Sequence, residues 1–316
     1  MWTQAELDTL RRELPAEMYH CRGQLSHYDR LIYYWAARTF YSGFGTIVDA
    51  GALIGGTAKL MAFGLTQNPR VTHEPGRILS YDRFEDREGG YMAQAISQFQ
   101  GIQLPPAHNG IVDFEPVFRF NTAAFADSIQ LRRGDIAKLG YSDARPIEIL
   151  SVDVGKTADL MRCVARDFFP RLVPGASIVL NQDYVFPLQP WVIVAMELLA
   201  DHFEQHELPT ECTMVHRCTK PLTAELVGAR LGDSGSAYFT RENVPLIGRA
   251  RDRLREPGNR AALHAAEAYA LLLLGDVEAA KSAASALVRD HELSASFVET
   301  RLAFGGVLSQ LGITYS

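Results

Sequence analysis

The stretch "IVDAGALIGGTAKL", Ile47 to Leu60, decides how the chain folds. A β-branched run ends in an acid, a glycine follows, and a glycine pair then opens a segment of helical pattern. Glycine at position 51 permits a sharp exit from a strand. Gly55 and Gly56 let a ligand approach the backbone where unpaired helix N–H groups point outward. In a doubly wound sheet, ligands bind beyond the carboxyl ends of the strands, and the turn after the first strand usually carries the glycines. Asp49 through Thr57 is therefore a candidate site.

Working outward, short β-branched runs alternate with helical patterns: "RILSYD", "IQLRRGD", "IEILSVDV" before a helix over 159–172, and "ASIVLNQDY" before a helix over 191–200. Strand and helix in repeated alternation predict an α/β fold, a doubly wound, mostly parallel Rossmann-like sheet. "HFEQHEL" and "CTMVHRCTK" flank a Pro-containing turn too short for a crossover helix, so they should pair antiparallel as the last strands. "SAYFT" reads as one more short strand. Residues 1–41 read as N-terminal helices, with an aromatic stripe in "YDRLIYYWAARTFY", and 42–240 as the ligand-binding domain. Residues 241–316, rich in Ala and Leu, read as a helical extension with one tetratricopeptide-like hairpin, Gly275 ending one helix and Asp276 capping the next.

The 316 residues, 47% hydrophobic and 22% charged, suffice for one large core and a smaller appended unit. A net charge of −6 gives nucleic acid no attraction. The charged start "MWTQAELDTLRREL" and the lack of a long apolar run predict a cytoplasmic protein with no membrane span. The four cysteines show no CxxC spacing and read as buried thiols. "DHFEQHELPTECTMVHRCTK" carries His202, His206, Cys212, His216 and Cys218, but their spacing matches no common zinc pattern, and a half-buried hairpin is expected.

Two cofactor classes compete for the glycine turn. G-A-L-I-G-G lacks the second glycine of the dinucleotide fingerprint, which weakens a nicotinamide reading and leaves S-adenosylmethionine. Asp82, at the end of "ILSYD", is placed to accept hydrogen bonds from both ribose hydroxyls, and Asp135 in "LRRGDI" lies just past the third strand, where adenine would sit.

With VDAGALIGGT, YDRFED, GDI and "ILSVDVGKTADLMRCVARDFFPRLVPGASIVLNQDY" in that order, the sequence resembles the macrocin O-methyltransferase group of class I S-adenosylmethionine-dependent methyltransferases. The resemblance covers about 47–184. It implies a small-molecule O-methyltransferase acting on a sugar or glycosylated natural product in natural product biosynthesis. It also implies cofactor contacts from Asp49, Gly51, Ala52, Gly55, Gly56 and Thr57 at the methionine end, Asp82, Arg83 and Phe84 at the ribose, Asp135 and Ile136 at the adenine, and Asp153 facing the transferred methyl. In that group acids at the ends of the fourth and fifth strands hold Mg2+, which would make Asp153, Asp183 and Gln182 the metal ligands. Here Gln182 stands where the pattern has an acid, and Asn181 is also neutral.

Without a metal, Asp153, Asp183 or His108 is the candidate catalytic base. His108 lies in the Gly/Pro/aromatic-rich segment 85–121, which is expected to fold over the substrate. Lys156 sits beside the site or is a surface charge at a helix start. Tyr184, Gln182 and Trp191, with Phe186, are candidates for lining the substrate pocket. The helical segments suit a homodimer. The competing hypothesis keeps the fold without methyl transfer, as a binding or interaction module.

Overall fold

The computed structural model describes residues 4–72, 75–99, 101–207, 212–289 and 300–313. Nine strands are described: β1 (Thr46–Ala50), β2 (Ile78–Asp82), β3 (Glu85–Arg87), β4 (Ile111–Asp113), β5 (Ile129–Arg133), β6 (Ile147–Val152), β7 (Ile178–Asn181), β8 (Phe203–His206) and β9 (Met214–Cys218). Seven form one sheet in the order β5-β2-β1-β6-β7-β9-β8, and β3 and β4 form a separate hairpin. β1 runs parallel to β2 and β6, and β2 parallel to β5. β8 and β9 pair antiparallel, Phe203 opposite Cys218, as their close spacing requires. The Pro209 turn between them lies outside the described residues. β1 and β6 are buried at every position, including the polar Thr46, Asp49, Glu148 and Ser151.

One buried carboxylate fixes the entry to the sheet. Glu148, 1% exposed, accepts N–H bonds from Ser42, from Gly43 at 3.0 Å and from Gly45 at 3.3 Å, so the loop feeding β1 is tied to the strand beside it. Tyr41 adds a bond from its hydroxyl to the Gly45 carbonyl at 2.7 Å. An anion buried among backbone donors is stable only while all of them reach it.

The chain divides into two compact units, each described by itself: residues 1–153 with 176–179, and residues 154–175 with 180–316. In the first, α1 (Gln4–Glu13), α2 (Ala16–Tyr19) and α3 (His27–Trp35) are the expected N-terminal helices. A reciprocal cap starts α3: the Asp29 N–H donates to Ser26 Oγ at 3.1 Å, and the Ser26 N–H to Asp29 Oδ2 at 2.9 Å. The aromatic stripe of α3 packs on α4 (Gly56–Thr66), with Tyr33 and Tyr34 buried. The segment expected to be an irregular cover carries structure of its own: the β3–β4 hairpin, α5 (Tyr91–Ser97) and α6 (Glu115–Thr122). These surround a small apolar core of Phe84, Ile96, Phe114, Val117 and Phe118, joined by Ala52, Ile54 and Ala58 from the glycine turn and α4. After α7 (Ile136–Leu139) the chain enters β6.

The second unit holds α8 (Ala158–Phe168), α9 (Pro190–Leu198), α10 (Ala224–Leu231), α11 (Pro245–Arg253), α12 (Pro257–Leu273), α13 (Val277–Arg289) and α14 (Thr300–Gln310). α11 and α12 pack on α9, and the helical extension shares a compact unit with residues before 240. "SAYFT" forms a turn and no strand: Tyr238 is buried and its hydroxyl donates to the Ala158 carbonyl at 3.0 Å, which leaves no extended edge to pair. The α12–α13 hairpin is as read, with Gly275 at φ +83° and Asp276 accepting the Ala279 N–H at 3.2 Å. All four cysteines are free thiols. Among the described residues no helix is long and apolar enough to cross a membrane.

Glu148→Leu, which strands the amides of the 42–45 loop, is expected to lower the unfolding free energy by roughly 3 kcal/mol, with Glu148→Gln in between. Urea denaturation followed by tryptophan fluorescence measures this. An unchanged midpoint in Glu148→Leu would show that the loop does not depend on the carboxylate.

Candidate functional site

The tips of β1, β2, β5 and β6 meet in the first unit. Asp49, at the end of β1, is fully buried, with the Thr57 hydroxyl 2.8 and 2.9 Å from its two oxygens. Burial pushes its pKa up to about 7; the Thr57 hydroxyl opposes the shift and the nearby Asp82 charge adds to it. Tyr33 reaches the same region from α3: it accepts the Ser151 hydroxyl at 3.1 Å, and its own pKa is raised chiefly by burial, with the charges of Asp29, Asp153 and Asp49 adding.

Gly51 has φ +100°, and a Cβ there would come within 2.8 Å of the Asp153 carbonyl. The Asp153 N–H donates to the Ala50 carbonyl at 2.8 Å, so the resemblance-derived contacts Asp49, Gly51 and Asp153 lie together. Gly55, at φ +87°, faces Thr122 Cγ2, which a Cβ would meet at 2.6 Å, and Gly56 faces the Arg22 carbonyl oxygen at the same separation. A Cβ at these glycines would thus meet Asp153, α6 and the N-terminal segment of this chain.

Asp82 organises the second turn. Its Oδ2 accepts the Leu53 N–H at 2.8 Å and its Oδ1 the Phe84 N–H at 2.8 Å. Both donors are non-glycine residues in left-handed backbone, φ +45° at Leu53 and +55° at Phe84, a conformation that costs about 1–3 kcal/mol each and clusters at functional sites. Burial raises the Asp82 pKa and the two amides oppose the shift. A carboxylate has about four acceptor positions, so each oxygen retains capacity for a further donor. The Asp82 carbonyl accepts the Gly134 N–H at 2.8 Å, which brings Asp135 alongside; Asp135 also caps α7 through the Ala137 N–H at 3.1 Å. Of the other expected cofactor residues, Ala52 and Ile136 are buried, and Phe84 is wholly buried in the small apolar core, its ring 5.1 Å from that of Phe118. Arg83, in the turn just past β2, is exposed and pairs with Glu85 at 3.1 Å.

Several expected catalytic, metal and substrate residues have other tasks. Within the second unit, Lys156 Nζ lies 2.5 Å from Asp183 Oδ2, so the carboxylate assigned to a metal already holds an ammonium group. Gln182 is buried, and the Asn181 amide pairs with His216 Nδ1 at 3.0 Å. Burial drives the His216 pKa down to about 3, so this histidine is neutral. Among the described residues no cluster of three or more His, Cys, Asp or Glu side chains could hold a metal ion. With Lys156 on Asp183 and the neutral Asn181 and Gln182 before it, the end of β7 does not offer Mg2+ a set of free acids. Tyr184 is fully buried, its hydroxyl 3.4 Å from Glu197 and 3.5 Å from Gln205, so it is a core residue that cannot line a pocket. Trp191 donates to the Gly155 carbonyl at 2.6 Å and stacks edge-on against Phe239, holding the loop after β6. His108 is exposed in the turn before β4, bridged to Ile111 through the backbone, and is not gathered with the strand-tip acids.

Leu53, Asn121 and Tyr33 escaped the sequence reading. Leu53 acts through its backbone, and Asn121 through an amide bond to the Ile54 carbonyl at 2.9 Å, neither of which leaves a sequence signal. Tyr33 belongs to the aromatic stripe, where it looked like packing alone.

No family model and no curated protein matches the chain. Among solved structures, the apo structure of CalS11, "TDP-rhamnose 3'-o-methyltransferase, an enzyme in Calicheamicin biosynthesis", is similar over 69% of this chain and 96% of its own, at 18% identity and a TM-score of 0.42. The O-methyltransferase NovP is similar over 56% of this chain and 72% of its own, at 16% identity and a TM-score of 0.41. The pyocyanin biosynthetic protein PhzM is similar over 59% and 54%, at 15% identity and a TM-score of 0.36.

The Asp49 titration has a consequence for stability. The unfolded chain releases this proton near the ordinary carboxylate pKa of about 4, while the folded protein keeps it up to about pH 7. Between those values the folded state binds more protons, so stability falls as pH rises and levels off above 7. Asp49→Asn removes this contribution. Its urea midpoint is expected to fall less than that of the wild type from pH 5 to pH 8, and equal slopes would contradict the burial argument.

Proposed function

We propose that the protein is an S-adenosylmethionine-dependent O-methyltransferase acting on a hydroxyl of a small molecule, a sugar or glycosylated natural product. The observation that carries this reading is Asp82, a half-buried carboxylate at the tip of β2, held by two strained backbone amides beside the glycine turn. Its remaining acceptor positions suit the paired hydroxyls of a ribose. The sheet order supports the choice of cofactor: a dinucleotide fold runs 3-2-1-4-5-6, whereas here the last strand, β9, is inserted between β7 and β8.

In this reading Asp82 binds the ribose, Asp135 and Ile136 border the adenine, and the buried Asp49 faces the cationic amino acid end. When bound, S-adenosylmethionine supplies an electrophilic methyl group. Asp153, which follows β6 and abuts Gly51, orients the acceptor hydroxyl and takes up its proton. No step is assigned to a metal, because Asp183 is engaged by Lys156.

Isothermal titration with S-adenosylmethionine, S-adenosylhomocysteine and NAD(P) tests the proposal. Binding of the two adenosyl compounds and not of NAD(P) is expected, with affinity unchanged by magnesium or a chelator; binding of NAD(P) alone ends the reading. Asp82→Ala is expected to weaken S-adenosylhomocysteine by about tenfold or more, and unchanged affinity removes Asp82 from the site. A cation beside Asp49 favours its ionised form, so affinity should rise as pH passes through 7 with release of a proton, visible as a dependence of the binding heat on buffer ionisation.

A further inference from the structure

A cavity of about 250 Å³ in the first unit lies against the outer side of the glycine turn. Its walls include Arg22, Gln103, Pro105, Pro116, Phe120 and Asn121. Two contacts fix it there: the Asn121 amide donates to the Ile54 carbonyl at 2.9 Å, and the Arg22 carbonyl lies against Gly56. The chemistry of the walls is uneven. The Arg22 guanidinium is half-buried; among the described residues its one hydrogen bond is to the neutral Asn121 Oδ1, at 3.4 Å, and no carboxylate lies within ion-pairing distance of it. Glu115, the acid on α6, is taken up by Arg119 at 2.6 Å and Arg133 at 2.8 Å. At the rim Phe120 is 74% exposed, an aromatic face that α6 does not bury. An uncompensated cation beside apolar walls attracts an anion more strongly than one in open water, and an exposed ring offers a stacking surface.

We infer that this cavity seats the ring-bearing, anionic end of the acceptor, Arg22 binding its carboxylate or phosphate and Phe120 covering its ring, while the reacting hydroxyl remains outside. The inference rests on the methyl-transfer reading, and it narrows the acceptor to a molecule carrying both a ring and a negative charge. The cation sets specificity: a neutral analogue of the same shape leaves Arg22 desolvated and unpaired.

The test uses matched probes on the full chain: 4-hydroxybenzoate, phenyl phosphate and the neutral 4-hydroxybenzamide, each titrated by calorimetry or ligand-observed NMR into wild type, Arg22→Gln and Phe120→Ser. At least one anion is expected to bind wild type about tenfold more tightly than the amide, and to lose that advantage in Arg22→Gln. The stronger of the two anions distinguishes carboxylate from phosphate. Phe120→Ser should weaken all three probes alike. S-adenosylhomocysteine affinity should be unchanged in both variants, which also reports that they are folded. Equal binding of anions and amide, failure of both anions to bind wild type, or an Arg22→Gln effect on S-adenosylhomocysteine alone overturns the inference; the last assigns the guanidinium to the cofactor's own carboxylate. Absence of S-adenosylhomocysteine binding to wild type overturns the methyl-transfer reading and leaves the comparison of anion with amide readable.

Discussion

Two backbone amides on one carboxylate hold the upper end of the first unit together. Asp82 takes an N–H from the turn after β1 and another from the turn after β2, and both donors stand in a backbone conformation that ordinary residues avoid. Neither turn is stable alone in that shape. Their mutual attachment to a half-buried carboxylate maintains both, and the Gly134 bond to the Asp82 carbonyl adds the tip of β5 to the same assembly. Phe84 then directs its ring into the apolar core that organises the segment from 85 to 122. The proposed ligand-binding surface and the folding of a long insertion follow from one side chain.

The fold was legible in the sequence where local pattern and tertiary demand agree. Alternating β-branched runs and helical periods gave the doubly wound sheet, and the tight spacing of the last two strands gave their antiparallel pairing. Reading failed where short elements are held by distant partners. The β3–β4 hairpin brings Glu85 opposite Asp113 across an intervening helix, and three-residue strands carry too little periodicity to be seen. "SAYFT" had strand composition, yet Tyr238 is drawn into the core by its bond to Ala158. Among the candidate site residues, Asp49, Gly51, Asp82, Asp135 and Asp153 could be named from the sequence because each is an acid or glycine at or just past the end of a strand pattern. Leu53 was not, since its contribution is a main-chain N–H.

The glycine pair shows how a motif can be recognised for one reason and required for another. Gly55 and Gly56 suggested room for a ligand, and in addition a side chain at either position would meet Thr122, Phe118 or the Arg22 carbonyl. A similar substitution of roles explains the neutral pair before Asp183. Asn181 is paired with a buried, uncharged His216, and Asp183 with Lys156, so the fifth strand's end carries an internal polar network in place of a cluster of free acids.

Tyr33 links the beginning of the chain to the electrostatics of the sheet. Its ring comes from α3, yet its hydroxyl is close enough to Asp49 for that carboxylate's charge to raise its pKa. The N-terminal helices therefore act as insulation: by keeping solvent from the end of β1 they maintain the low dielectric that makes Asp49 reluctant to ionise. The ionisation of this single aspartate is thus coupled to the seating of α3, and any event that lifts α3 from the sheet would favour its charged form without altering a residue of the site itself.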